Sequence, residues 1–238
     1  MPIHPWQDVL ALVELAAPTA CAGCGEAGTR WCAACSDLLV DARAHAWSPT
    51  PCPPRMPATW SALPYADAVR HAVVAWKDGG RTDLTPHLGR VVRSVLAAVL
   101  AGSPPHLAAL VGGRPVALVP APSARAGTRA RGEHRVGALT RAAAHGIPAR
   151  RLVVLDALRL TRRVADQSGL GAGGRMANLS GAVSVRRAAR SRVVGVPCVL
   201  VDDVVTTGAT LVECARALRE AGSGPVVAAT VAATRRWT

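Results

Sequence analysis

The stretch Val199-Leu-Val-Asp-Asp-Val-Val-Thr-Thr-Gly-Ala-Thr-Leu211 joins an apolar run, two adjacent acids and a turn of threonine and glycine without interruption. The run 199–201 predicts the end of a buried parallel strand, and the composition and spacing of 209–221 predict a helix. The turn therefore lies at a helix N-terminus, where backbone N–H groups lack intrahelical partners and the helix dipole is positive. These properties favour a phosphate, and Gly208 lets the backbone approach it closely.

The two acids before the turn need another role, because carboxylates repel a bare phosphate. Asp202 and Asp203 are suited to accept hydrogen bonds from a ribose diol, while threonine hydroxyls of the turn donate to a phosphate. A ribose 5-phosphate offers a diol to the two acids and a phosphate to the turn. The alternative is an ordinary βα turn with a threonine N-cap and two solvated acids, but an acid pair with this turn is a longer match than a lone glycine-rich motif.

Composition and charge narrow the class of protein. A chain of 238 residues has room for one α/β domain and a small module. With no Phe and one Tyr, the core must consist of Ala, Val and Leu, with Trp as its main large residue. The formal charge of +13 attracts polyanions such as nucleic acid, although a pyrophosphate site and solvated arginines explain basic residues equally well.

Nothing in the sequence predicts membrane insertion. No run of about 18 uncharged apolar residues is present, and residues 1–20 carry acids without a basic start. We therefore expect a soluble, cytoplasmic protein. The seven cysteines are an awkward number for a secreted disulfide framework.

Four of the cysteines have the spacing of a zinc site, in two pairs: Cys21-x2-Cys24 and Cys32-x2-Cys35. Two such knuckles place four thiolates around one tetrahedral Zn²⁺, and a full coordination sphere predicts a structural role. The ion would also supply folding free energy that so small a module cannot obtain from a core. A redox dithiol pair and clustered free thiols remain alternatives, and Cys52 stands apart.

A proline-rich segment at 48–57 cannot continue a helix or a central strand, and it predicts the domain boundary. Residues 1–57 then form an amphipathic helix at 8–17, the four-Cys zinc module and the linker. Residues 58–238 form the second domain. Helical patterns at 65–77, 84–101 and 135–144 alternate there with strand patterns at 115–119, 152–155 and 226–232. This alternation predicts an α/β fold with a parallel sheet, helices on both faces and a site at the carboxyl ends of the strands.

The loop after the strand at 115–119 predicts a pyrophosphate contact. Prolines stiffen it and arginines suit bidentate contacts with phosphate oxygens. The candidates are Ala121, Pro122, Arg125, Arg129 and Arg131. A solvated arginine loop is the alternative for any one of them. His134 is an acid/base candidate, although a histidine in a basic loop is more commonly a surface residue or a helix cap. The glycine-rich composition of the segment 160–182 predicts a functional insertion or hood.

The stretch 202–210, which we call the acidic turn, resembles the motif of type I phosphoribosyltransferases. These enzymes bind phosphoribosyl pyrophosphate (PRPP) with Mg²⁺. The resemblance implies a type I phosphoribosyltransferase-like fold, in which Asp202 and Asp203 act as the catalytic acids and hold the ribose hydroxyls. The 5-phosphate would be cradled by the five residues of the turn: Thr206, Thr207, Gly208, Ala209 and Thr210. Lys77 is a candidate for a phosphate contact, with packing at a helix end as the alternative.

Further motifs resemble the ComF family, whose members are associated with competence and DNA uptake. They are the four-Cys module, the run Y-x3-V-R-x6-K-x-G at 65–79, P-x-P at 120–122, Arg131-Gly132, the stretch 161–167 and Arg175-x2-Asn178. The resemblance implies phosphoribosyl transfer to an unidentified acceptor. The alternative is a non-catalytic or PRPP-sensing component of the uptake machinery, with a helicase-like partner or single-stranded DNA. Glu133-His134 and Ala182-Val183 depart from the family pattern, at positions that bear on acceptor recognition.

Overall fold

The computed structural model describes residues 19–122, 134–162 and 179–234. The predicted helix at 8–17, the loop arginines Arg125, Arg129 and Arg131, and most of the predicted hood lie outside the described residues. The helices are α1 (Ala33–Val40), α2 (Asp67–Lys77), α3 (Thr85–Gly102), α4 (Pro104–Val111), α5 (Arg135–Ala144), α6 (Arg190–Val193) and α7 (Ala209–Glu220). The strands are β1 (His45–Trp47), β2 (Thr59–Pro64), β3 (Val116–Pro120), β4 (Leu152–Val154), β5 (Leu158–Leu160), β6 (Val183–Val185), β7 (Cys198–Val205) and β8 (Val226–Ala233).

Six strands form one mixed, mostly parallel sheet in the order β1-β2-β8-β7-β3-β4. Only β1 runs antiparallel to its neighbour. The prediction of an α/β fold with a largely parallel sheet is confirmed. Strand β7 pairs with β8 on one side and β3 on the other, so the acidic stretch lies in the middle of the sheet.

Both faces of the sheet are covered by apolar side chains. On β7, Val199 and Val201 belong to a core shared with α2, α3 and α5, whereas Leu200 belongs to a second core with α7. Opposite orientation of successive strand residues explains this division. A central parallel strand that is buried on both faces has a continuous run of apolar residues in its sequence. The apolar run 199–201 therefore sufficed to predict β7.

Several elements were not predicted from the sequence. They are β1, β2, the antiparallel pair β5–β6 and the helices α1, α4 and α6. Strand β7 is also longer than its apolar run, since it extends through Asp202 and Asp203 to Val205. The two acids therefore belong to the strand rather than to the loop after it. Helix α5 has the predicted bounds 135–144.

The β5–β6 pair is attached to α7 by a buried ionic network. Glu213 on α7 accepts a hydrogen bond from the N–H of Val183, at 3.0 Å, and pairs with Arg216, at 2.6 Å. Arg216 in turn donates to the carbonyl of Val183, at 2.9 Å. The two partners satisfy the carboxylate of Glu213, which is only 5% exposed. The strands that flank the predicted hood are thus fixed to the helix that follows the acidic turn.

One segment of the described residues, Thr82–Gly102, is long and apolar enough to cross a membrane. Its apolar side, which includes Leu88, Val92 and Val95, is buried in the core on one face of the sheet. Burial of this kind is typical of a core helix in a water-soluble protein.

The segment before the proline-rich stretch is in contact with the main sheet. Strand β1 pairs with β2, and Leu39 of α1 lies in the same core as α3. The predicted boundary at residue 57 stays a prediction, but residues on its two sides share backbone hydrogen bonds.

Candidate functional site

The acidic turn lies at the carboxyl end of β7, where α7 begins. Gly208 has φ 78° and ψ 0°, a left-handed conformation that glycine adopts without a steric penalty, and α7 starts at the next residue. Asp202 and residues 204–211 line a shallow pocket of about 20 Å³. The predicted turn residues Thr206, Thr207, Gly208, Ala209 and Thr210 all belong to this lining. The local geometry is therefore that of a polar pocket at the N-terminus of a helix of 12 residues.

The two acids are buried rather than solvated. Asp202 is 8% exposed and Asp203 is 2% exposed. Each carboxylate accepts a hydrogen bond from the next backbone N–H, that of Asp203 at 2.9 Å and that of Val204 at 2.8 Å. The ammonium of Lys77, at the last turn of α2, lies 2.5 Å from Oδ2 of Asp203. The interpretation of two freely solvated acids is not supported by this burial.

Burial and a neighbouring charge perturb the ionisation of Asp202. Burial, followed by the negative charge of Asp203, raises the pKa of Asp202 to about 8. Burial acts to lower the pKa of Lys77, but the carboxylates of Asp203 and Asp202 outweigh it and raise that pKa. The arrangement favours a cation at the acidic pair. Carboxylate oxygens are the donors that hard divalent cations prefer in proteins.

The start of the predicted pyrophosphate loop lies next to the acids. Pro120 pairs with Val201 across the β3–β7 ladder, and the N–H of Ala121 donates to the carbonyl of Val201 at 2.9 Å. Ala121 and Pro122 are therefore brought to the same edge of the sheet as Asp202, as adjacent parallel strands require.

His134 has the role of a helix cap. Its Nδ1 accepts a hydrogen bond from the N–H of Gly137 at 3.1 Å, and its Nε2 lies 3.1 Å from the carbonyl of Ala121. The first contact requires an unprotonated Nδ1, and burial lowers the pKa of the ring. With both nitrogens engaged, the geometry favours the cap over the acid/base role and ties α5 to the loop after β3.

The proline-rich segment packs against the glycine of the turn. A Cβ atom placed on Gly208 would lie 2.6 Å from Sδ of Met56, closer than side chains approach one another. Arg219 of α7 donates to the carbonyl of Arg55, at 3.0 Å, and so holds this segment on the same helix. The segment predicted as a linker thus also supports the turn.

The four predicted metal ligands come together in one cluster. The Sγ atoms of Cys21, Cys24, Cys32 and Cys35 all lie within 4.8 Å of one another, and Cys32 is 3.6 Å from both Cys21 and Cys24. Four thiolates at a Zn–S distance of about 2.3 Å define a tetrahedron with edges of about 3.8 Å. The cluster is compatible with a metal ion such as Zn²⁺.

The backbone of the knuckles favours the thiolate form of the first cysteine. Cys21 Sγ accepts a hydrogen bond from the N–H of Cys32 at 3.4 Å. Burial acts to raise the pKa of Cys21, but backbone N–H groups outweigh it and lower that pKa to about 6. Gly23 leaves room for the cluster, since a Cβ there would lie 2.6 Å from Sγ of Cys35.

Helix α2 contacts both sites. Near its start, Nδ1 of His71 lies 3.1 Å from the carbonyl of Gly23 in the first knuckle, and Ala68 packs on the cysteines. At its end, Lys77 pairs with Asp203. Sequence reasoning underweighted Lys77, although one signal was present: it is the only lysine in a chain that otherwise uses arginine.

No protein-family model matches the chain, and no curated protein matches its sequence. The resemblance to the ComF family and to type I phosphoribosyltransferases therefore stays a prediction that rests on the motifs.

Proposed function

We propose that the protein binds PRPP together with Mg²⁺ at the acidic turn and transfers its phosphoribosyl group to an acceptor. One observation carries the proposal: two buried carboxylates near the end of β7 are followed, a few residues later, by a left-handed glycine at the N-terminus of α7. The carboxylates suit the ribose diol and the metal, and the turn suits the 5-phosphate. In this proposal Ala121 and Pro122, which follow the adjacent strand β3, contact the pyrophosphate.

The residues act by positioning and by charge. An acceptor lone pair forms a bond to the anomeric carbon while the bond from that carbon to pyrophosphate oxygen breaks, and pyrophosphate leaves with the electron pair. The acceptor then loses its proton to solvent or to the leaving pyrophosphate. Positive charge develops on the ribose ring, and Asp202 and Asp203 stabilise it. Mg²⁺ neutralises pyrophosphate oxygens when bound.

The four-Cys cluster has a structural role in this proposal. Four thiolates complete the coordination of Zn²⁺ and leave no position for a substrate or a reactive water. The contact of His71 with Gly23 connects the cluster to α2, and α2 carries Lys77 to the acidic turn.

Calorimetric titration of the zinc-loaded protein with PRPP and Mg²⁺ tests the proposal. Wild type should bind PRPP, and the Asp202→Asn/Asp203→Asn variant should lose at least about tenfold in affinity, because the charge that holds the metal and the ribose is removed. Asp156→Asn is the control, since Asp156 is a surface acid with a side chain 61% exposed. Undiminished affinity in a folded double variant would remove the acids from the site. Product formation with purine, pyrimidine and amine acceptors then distinguishes turnover from binding alone.

A second candidate function is binding of a polyanion, with PRPP as a regulator rather than a substrate. The observation that favours it is a run of four exposed arginines just after β6: Arg186, Arg187, Arg190 and Arg192. Of these only Arg186 has a carboxylate partner within the described residues, Asp156 at 3.4 Å. If this surface binds single-stranded DNA, replacing Arg187 and Arg190 by Ser should weaken binding and reduce its salt dependence. Unchanged binding would exclude this surface.

A further inference from the structure

Lys77 lies where a cation is needed at the acidic turn. Its ammonium is 2.5 Å from a carboxylate whose side chain is 3% exposed, while its own side chain is 47% exposed. The pair is therefore asymmetric: the acid is fixed in a strand, whereas the lysine reaches it from solvent through a long, flexible stem. Such a side chain can leave the carboxylate without disturbing the core.

Composition gives a second, independent reason to single out this residue. All other basic side chains among the 28 lysines and arginines are arginine. A guanidinium forms a planar, bidentate fork with a carboxylate, whereas an ammonium is a compact point charge that a small metal ion can replace. Packing at a helix end requires only a cation and would be served equally well by arginine.

We infer that Lys77 is the resident cation of the acidic turn, which occupies Asp203 in the free protein and competes there with the divalent metal. The inference rests on the proposed function, because it takes the acidic pair to be the place where metal and ribose bind. In the free protein the ammonium compensates a buried carboxylate that would otherwise be unpaired. When the metal arrives, the same carboxylate is compensated by the ion, and the ammonium is released toward solvent.

The competition has a direct consequence for metal binding in the absence of PRPP. Lys77→Met removes the competitor and leaves both carboxylates in place. We expect this variant to bind Mn²⁺, used as a paramagnetic probe for Mg²⁺, roughly tenfold more tightly than wild type, the effect of one nearby charge at a partly exposed site. Adding Asp203→Asn to Lys77→Met should abolish the gain.

The measurement is an electron paramagnetic resonance titration of zinc-loaded protein with Mn²⁺. Arg186→Met is the matched control, because Arg186 also pairs with a carboxylate and its side chain is likewise 47% exposed. Its Mn²⁺ affinity should equal that of wild type. Equal affinity of the folded Lys77→Met variant and wild type would overturn the inference.

The single lysine permits a second measurement that needs no change at residue 77. Acetylation of Lys77, followed by mass spectrometry, should be slower in wild type than in Asp203→Asn, because the ion pair with Asp203 shields the amino group from the reagent. Saturating Mn²⁺ should accelerate it in wild type. Equal rates under all three conditions would contradict the inference.

The two proposals fail in different ways. If wild type does not bind PRPP but Lys77→Met binds Mn²⁺ more tightly, the proposed function is wrong. The inference that Lys77 competes with a divalent cation then still stands. If wild type binds PRPP with Mg²⁺ and Lys77→Met shows no gain, the function stands and the role of Lys77 is wrong.

Discussion

The four-Cys cluster and the acidic turn are both clusters of ionisable side chains, but they are assembled differently. All four thiols come from 15 consecutive residues, 21–35, and lie within 4.8 Å of one another. The acidic turn takes its carboxylates from β7, its ammonium from α2 and its neighbouring loop from β3. The first is a closed local site, and the second depends on the packing of the whole sheet.

This difference explains the chemistry open to each. Four thiolates satisfy one metal ion completely, so the cluster suits a structural ion. The acidic pair has one compensating charge, which comes from a partly exposed side chain, and Asp202 lines a pocket. An incompletely compensated buried pair beside a pocket is the arrangement expected where a ligand supplies the rest.

The largest effect should follow loss of a thiolate. Cys32→Ser leaves three ligands, and we expect the variant to lose its zinc and the fold of residues 21–35, because small zinc modules derive on the order of 10 kcal/mol from the ion. Zinc content by atomic emission and susceptibility of this segment to proteolysis are the measurements. Cys52→Ser is the control, since Cys52 is exposed and outside the cluster. Retention of a full equivalent of zinc by Cys32→Ser would exclude the closed four-thiolate site.

The same difference decides what the sequence could predict. The cysteine spacing is local, so it predicted the cluster of all four cysteines. The motif at 199–211 is local as well, and it correctly predicted a strand, a turn and a helix. The pairing of Lys77 with Asp203 spans more than a hundred positions and depends on where α2 ends relative to β7, so spacing could not reveal it.

The missed strands have a physical explanation. Strand β2 reads Thr-Trp-Ser-Ala-Leu-Pro, with Pro64 at its end and no run of β-branched residues, so propensity argued against it. It is stabilised by its ladder with β8. Strands β1, β5 and β6 have three residues each, too few for periodicity to appear.

An intermediate effect is expected at the glycine of the acidic turn. Gly208→Ala introduces an unfavourable φ and forces the flexible end of Met56 to move, and it should lower the free energy of unfolding by about 2 kcal/mol. Gly146→Ala has the same φ problem, φ +79°, without a neighbour within 4 Å, and should cost about 1 kcal/mol. Urea unfolding measures both.

Met56→Ala sharpens this prediction because it removes the clashing atoms. The double variant Met56→Ala/Gly208→Ala should be more stable than the sum of the two single changes, by roughly 1 kcal/mol. If the changes in the free energy of unfolding are strictly additive, Met56 does not hinder a side chain at residue 208.

The last effect should appear at the acidic pair, and it should depend on pH. The pKa of Asp202 is raised by burial, and next by Asp203, from the usual 3.8 to about 8 in the folded protein. Between these values the folded state binds more protons than the unfolded state, so this carboxyl makes stability fall as pH rises through that window. Asp202→Asn removes the ionisation and keeps an oxygen for the N–H of Asp203.

We therefore expect Asp202→Asn to be more stable than wild type above pH 8, and the gain should shrink toward zero near pH 4. Thermal unfolding of both proteins from pH 4 to 9 is the measurement. Asp156→Asn, at an exposed position, should show no such trend. If Asp202→Asn gains stability at high pH but loses affinity for PRPP, Asp202 serves binding and lowers the stability of the fold. A loss of stability at every pH would instead mean that the carboxylate is fully compensated in the free protein, as the thiolates are when zinc is bound.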